Sequence, residues 1–188
     1  MYYIAGKKQK RITLITLFAD DILEKIKKIV ADKENLICKI PYGIDDDNRK
    51  QMDTLPYHFT ISSWDNKFER QVVEILKELN FSNFVLKIDK VKIMSGKENS
   101  HILYFFAKND DKLRKIQKSI FEKIPNEKYN PANFEFHITL AIDKDQNNIL
   151  KLKEKIEKNF EAFEIRIDKL ALFSIYPARK IFEKALKE

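Results

Sequence analysis

The chain has 188 residues, 44% of them hydrophobic and 12% aromatic, enough apolar content for one sizeable core or two small lobes, and this excludes disorder over most of its length. Its 36 Lys and Arg against 29 Asp and Glu give a formal net charge of +7, which suits a polyanionic partner but equally fits basic residues that punctuate solvated helix faces. Cys38 is the one cysteine and excludes an intramolecular disulfide, while the apolar run Ile12 to Ala19 is too short to span a bilayer and precedes no cleavage site, so a cytoplasmic protein without a membrane anchor is expected.

In chain order, the β-branched stretch Ile12 to Phe18 predicts a strand, and Asp20 opens an amphipathic helix with Ile22, Ile26, Ile29 and Val30 on one side. Leu36 to Ile40 fits another strand, followed by an irregular loop through Pro41, Gly43 and the Asp45-Asp46-Asp47-Asn48 run to Pro56. Tyr57 to Ser63 reads as a strand, Lys67 to Leu79 as a helix and Phe84 to Met94 as a long strand closed by a turn at Gly96. The order then repeats: strand Ile102 to Ala107, helix Asp111 to Ile124, a loop through Pro125 and Pro131, strand Phe134 to Ile142, helix Asn147 to Phe160 and strand Phe163 to Phe173.

Residue identities make the repeat explicit. Leu86-Lys87-Ile88-Asp89-Lys90-Val91 matches Ile165-Arg166-Ile167-Asp168-Lys169-Leu170 at an offset of 79 (168 − 89), and His58-Phe59-Thr60 matches His137-Ile138-Thr139 at the same offset (137 − 58). An offset shared over a helix and two strands points to duplication. Asp20-Asp21 and Asp110-Asp111 match at 90 (110 − 20), which assigns 11 extra residues (90 − 79) to the Cys38 to Pro56 region of the first half. The expectation is a single α/β domain over 1–188, bilobal and duplicated, with lobes of about 1–96 and 97–188 and antiparallel sheets with outer helices around a central cleft.

Two of the three histidines occur as His-x-Thr at equivalent places in the repeat. In a strand, residues i and i+2 share a face, so His58 with Thr60, and His137 with Thr139, point one way while Phe59, Ile61, Phe136, Ile138 and Leu140 point into the core. One such motif is ordinarily a satisfied strand histidine beside a β-forming threonine. Two in register with a repeat set two imidazoles and two hydroxyls across a cleft, an arrangement that fits phosphoryl transfer at a diester. One imidazole takes a proton from the attacking oxygen, the other gives one to the leaving oxygen, and the hydroxyls hold the non-bridging oxygens. The scheme needs no metal and no cofactor, and the sequence lacks His-x-x-x-His or His-x-Glu spacing and a Cys cluster.

The pair His58-Phe59-Thr60-Ile61 and His137-Ile138-Thr139-Leu140-Ala141 resembles the signature of the two-histidine phosphoesterase superfamily, which includes the 2'-5' RNA ligase-like proteins and the 2',3'-cyclic phosphodiesterases. The resemblance covers essentially the whole chain. It implies a bilobal fold around a cleft and activity on 2',3'-cyclic phosphates or 2'-5' linkages, with an RNA end, oligonucleotide or cyclic nucleotide as partner. Ile142 stands where many RNA ligase-like members carry Arg. The competing reading is a non-catalytic RNA-binding module that keeps the fold and basic cleft.

Weaker site candidates follow from position alone. Ser62 and Trp64 continue the His58 face, and Trp64 is placed to stack on a base. Tyr176, Arg179 and Lys180 lie just past the last expected strand, in a loop near the substrate. Glu135 shares the His137 face and is placed to orient an imidazole, and His101 is expected at the rim. A monomer is expected.

Overall fold

Apolar residues on alternating and helical periods build mixed α/β layers, seen in a computed structural model that describes residues 3–4, 7–8, 11–31, 55–96, 99–108, 110–175 and 179–188. The expected strand Leu36 to Ile40, most of the loop up to Pro56, and Tyr176 lie outside the described residues. In order the elements are β1 (Tyr3–Ile4), β2 (Lys7–Lys8), β3 (Arg11–Leu17), α1 (Asp20–Ala31), β4 (Thr60–Asp65), α2 (Glu69–Glu78), β5 (Phe84–Ser95) and β6 (His101–Lys108). There follow α3 (Asp111–Phe121), β7 (His137–Asp143), α4 (Gln146–Glu157), β8 (Phe163–Ile167), β9 (Lys169–Ile175) and β10 (Arg179–Ala185). Among the described residues no helix is long and apolar enough to cross a membrane.

Two four-stranded antiparallel sheets carry the fold, in the orders β10-β9-β3-β4 and β7-β6-β5-β8. Each helix buries residues at helical spacing: Val72, Ile75 and Leu76 of α2, Leu113, Ile116 and Ile120 of α3, and Ile149, Leu152 and Ile156 of α4. Asp145 caps α4 by accepting from the Asn147 amide at 2.9 Å. The helices cover the apolar faces of the sheets, where Phe59, Ile61, Phe105, Phe136, Ile138 and Leu140 are fully buried.

The duplication is visible in strand pairing. Leu86 of β5 stands opposite Ile165 of β8, flanked by Phe84 opposite Ile167 and Ile88 opposite Phe163. Residues equivalent in the repeat therefore face each other around one point, so a local twofold axis passes between Leu86 and Ile165. The repeat boundary near residue 96 is not a boundary between sheets, because β5 pairs in the second sheet while β9 and β10, from the end of the chain, pair in the first.

Two expectations are corrected here. The strand Phe163 to Phe173 is two strands that part at Asp168, β8 pairing with β5 and β9 with β3. At the equivalent Asp89, β5 has a register shift between Ile88 and Lys90 but runs on. Arg179 and Lys180 do not stand in a loop: they open β10, an edge strand paired with β9. Exposed charges such as Arg179, Lys180 and Glu183 protect such an edge, and in sequence they read as a solvated tail.

Candidate active site

The first motif sits where the chain enters β4. Phe59 ties it to β3, its carbonyl accepting from the Thr16 amide and its amide donating to the Thr16 hydroxyl, both at 3.0 Å. Between Leu14 opposite Ser62 and Ile15 opposite Thr60, Ile61 is an extra residue of β4, a β-bulge. The second motif repeats it: Leu103 stands opposite Ala141 and Tyr104 opposite Thr139, leaving Leu140 extra. Ile61 and Leu140 are equivalent in the repeat (140 − 61 = 79) and both are fully buried. The bulged Ile61 carbonyl, displaced from the ladder, accepts from the Gln117 side-chain amide at 2.8 Å, which anchors α3 to the motif.

Both imidazoles are held in the same way. His58 Nδ1 lies 2.6 Å from the Pro56 carbonyl oxygen, and His137 Nδ1 lies 2.8 Å from that of Glu135, two residues back in each case. A carbonyl only accepts, so each Nδ1 donates, and the neutral ring leaves Nε2 as the acceptor. His58 Nε2 is 3.2 Å from the Thr60 hydroxyl. His58, Thr60, His137 and Thr139 line one cleft together with Leu55, Pro56 and Tyr57.

The two sites differ in electrostatics. Burial pushes the His58 pKa down to about 4, helped by the nearby His137 and opposed by the Pro56 bond. His137 is also lowered by burial, but the bond to the Glu135 carbonyl and the Glu135 carboxylate both work to raise it. That carboxylate accepts from the Tyr104 hydroxyl and pairs with Lys92 at 3.2 Å. Tyr104 packs edge-on against the His137 ring, centroids 5.3 Å apart, and burial followed by Glu135 drives its pKa upward, so it stays a donor.

Of the weaker candidates, Ser62 and Trp64 do not continue the His58 face. The bulge at Ile61 reverses the alternation: Ser62 is buried, and Trp64 enters the core with its indole N–H donating to the Ile124 carbonyl at 3.4 Å. Lys180 pairs with Glu183 at 2.6 Å on β10, and His101 pairs in register with Asp143 at the far end of β6 from Phe106. Tyr104 was not legible in the sequence; its only signal is the register that sets it opposite Thr139.

The family model of the 2'-5' RNA ligase superfamily matches residues 46–177, which include both His-x-Thr motifs. The chain belongs to this superfamily. Among solved structures, this superfamily member is similar to apo E. coli LigT, at 12% identity and a TM-score of 0.61 over 97% of this chain and 100% of that one. It is likewise similar to E. coli LigT complexed with 3'-AMP, at 14% identity and a TM-score of 0.60 over 96% and 100% of the two chains. TT0787 of Thermus thermophilus matches at 9% identity and a TM-score of 0.61 over 94% and 98%. These likenesses establish the fold. No curated protein matches the sequence.

Proposed function

We propose that this 2'-5' RNA ligase superfamily member is a metal-independent phosphodiesterase acting on 2',3'-cyclic phosphate or 2'-5' linkages of RNA. The observation that carries the reading is the matched anchoring of His58 and His137, each with Nδ1 committed to the carbonyl two residues back and both on one cleft. LigT, of like fold, is complexed with 3'-AMP, a ribonucleotide bearing the phosphate such a cleft would hold.

The electrostatic difference supports one division of roles. His58, whose proton affinity burial lowers to a pKa of about 4, takes the proton of an attacking water; His137, also lowered by burial but with its protonated form favoured by the Glu135 carbonyl and carboxylate, gives a proton to the leaving ribose oxygen from its protonated fraction. The water oxygen bonds to phosphorus, the bond from phosphorus to the leaving ribose oxygen breaks, and a ribose phosphomonoester results. With substrate bound, the Thr60 hydroxyl turns from His58 Nε2 and, with the Thr139 hydroxyl, donates to the non-bridging oxygens as charge develops there. The test is a panel of 2',3'-cyclic nucleotides, cyclic-phosphate RNA ends and 2'-5' oligonucleotides assayed with and without EDTA. Turnover of at least one class, unchanged by the chelator, is expected. Binding with no turnover of any would favour a non-catalytic RNA-binding module instead.

A further inference from the structure

The duplication lets the two histidines be compared position by position, and their surroundings do not match. Tyr104 stands opposite Thr139 as Ile15 stands opposite Thr60, and Lys92 stands opposite Tyr104 as Ala171 stands opposite Ile15. Lys92 and Ala171 keep the repeat offset (171 − 92 = 79), and so do Pro56 and Glu135 (135 − 56 = 79). The Pro56 carbonyl holds His58 as the Glu135 carbonyl holds His137. Where the first lobe carries Ile15, Pro56 and Ala171, whose side chains have no polar atom, the second carries Tyr104, Glu135 and Lys92.

The three second-lobe side chains are joined. Tyr104 is buried and donates its hydroxyl to Glu135 Oε1, and Lys92 Nζ reaches Glu135 Oε2 at 3.2 Å, so both carboxylate oxygens are held. The Tyr104 ring stands edge-on to the His137 imidazole, and Lys92 Nζ lies 3.6 Å from the centroid of Phe106, the register partner of His137. The other titratable groups around this imidazole are Lys90, opposite Phe106 on β5, Lys108, which pairs with Asp89 at 3.7 Å, and His58 and Tyr57 on the other side of the cleft. The Glu135 carboxylate favours a protonated His137, whereas the charge acting on His58 is that of His137 itself, which disfavours one.

We propose that Lys92, Tyr104 and Glu135 form a positioning relay, present in one lobe of the duplicated fold and replaced by apolar residues in the other, that makes His137 rather than His58 the proton donor. Glu135 orients the imidazole through its carbonyl and sets a negative charge beside it, Tyr104 pins that charge in place, and Lys92 moderates it. None of the three touches the reacting atoms. The two histidines are otherwise alike in motif, tautomer and anchoring carbonyl, and two equivalent imidazoles would share one proton evenly across the cleft. The relay breaks that symmetry. The inference rests on the phosphodiesterase reading for the direction of proton transfer, but the uneven sharing of the proton exists without substrate.

Histidine ring resonances followed by NMR against pH in the substrate-free protein test it, with His101 at the far end of β6 as internal reference. Glu135→Gln keeps the carbonyl and an acceptor for Tyr104 but removes the charge, and is expected to lower the His137 midpoint. Tyr104→Phe keeps the ring edge but frees the carboxylate, and should shift it the same way. Lys92→Met removes the opposing cation and should raise it. Opposite shifts from the two ends of one ion pair are a signature that loss of packing or stability does not produce. On the alkaline side of the rate optimum Glu135→Gln should lower kcat by about 2- to 5-fold, the scale of one partly exposed charge interaction. An unchanged His137 midpoint in Glu135→Gln, or shifts of the same sign in Glu135→Gln and Lys92→Met, would overturn the proposal. The expected shifts in a protein that cleaves no diester would support the relay and refute the enzymatic reading. Unmoved midpoints in a protein whose turnover needs both histidines would refute the relay alone.

Discussion

Replacing His58 with Asn tests whether its imidazole is held neutral by its surroundings. The folded pKa of about 4 lies below the ordinary 6.5, so as the pH falls the unfolded chain takes up this proton first. The stabilisation from a neutral His58 is present in full above pH 6.5 and is lost progressively toward pH 4. The full shift corresponds to about 3 kcal/mol at 1.36 kcal/mol per unit. His58 keeps some contact with water in the cleft, and screening trims this to about 2 kcal/mol. Asn retains a side-chain donor for the Pro56 carbonyl and does not titrate. Urea unfolding at pH 7.5 and pH 4.5 should therefore find that His58→Asn loses about 2 kcal/mol less on acidification than the parent, since the carboxylates titrate alike in both and cancel. Equal losses would refute the burial argument and, with it, the assignment of His58 as proton acceptor.

The kcat/KM profile for a cyclic phosphate should be bell-shaped, with its maximum between the acid limb of His58 near pH 4 and an alkaline limb of His137 below pH 6.5, because both groups are lowered. The apparent values belong to the coupled pair, and a rate that climbs steadily past pH 9 would contradict it. Thr60→Val and Thr139→Val should each cost about 10²–10³ in kcat if the hydroxyls stabilise transition-state charge, measured by steady-state kinetics; a change confined to KM argues for simple binding. Trp64→Ala should destabilise the fold by about 3–5 kcal/mol in denaturant titration, as expected for a core aromatic. A selective loss of substrate affinity at unchanged stability would return Trp64 to the site.

What the sequence revealed and what it concealed divide along a physical line. The duplication and the His-x-Thr pair were legible because strand alternation and residue identity are local properties, and the equal offset of 79 could be read without pairing information. The bulges at Ile61 and Leu140 were hidden because a bulge is defined only by the partner strand, and that one extra residue sent Trp64 into the core. Tyr104 and Phe106 were hidden for the same reason: their nearness to the motifs comes from register across β6 and β7. β10 escaped notice because an edge strand rich in Lys, Arg and Glu carries little apolar alternation. The sheet exchange at Asp168 is a topological choice that the continuous pattern of Phe163 to Phe173 does not signal.

The central claim is that two histidines on one cleft divide the work of proton transfer. Its most direct test is the turnover of His58→Ala and His137→Ala, each verified as folded by circular dichroism, on whichever cyclic phosphate or 2'-5' substrate the parent cleaves. Each variant should lose about 10²–10⁴ in kcat, as expected on removing a general acid or base. Near-parental turnover in either variant would contradict the account.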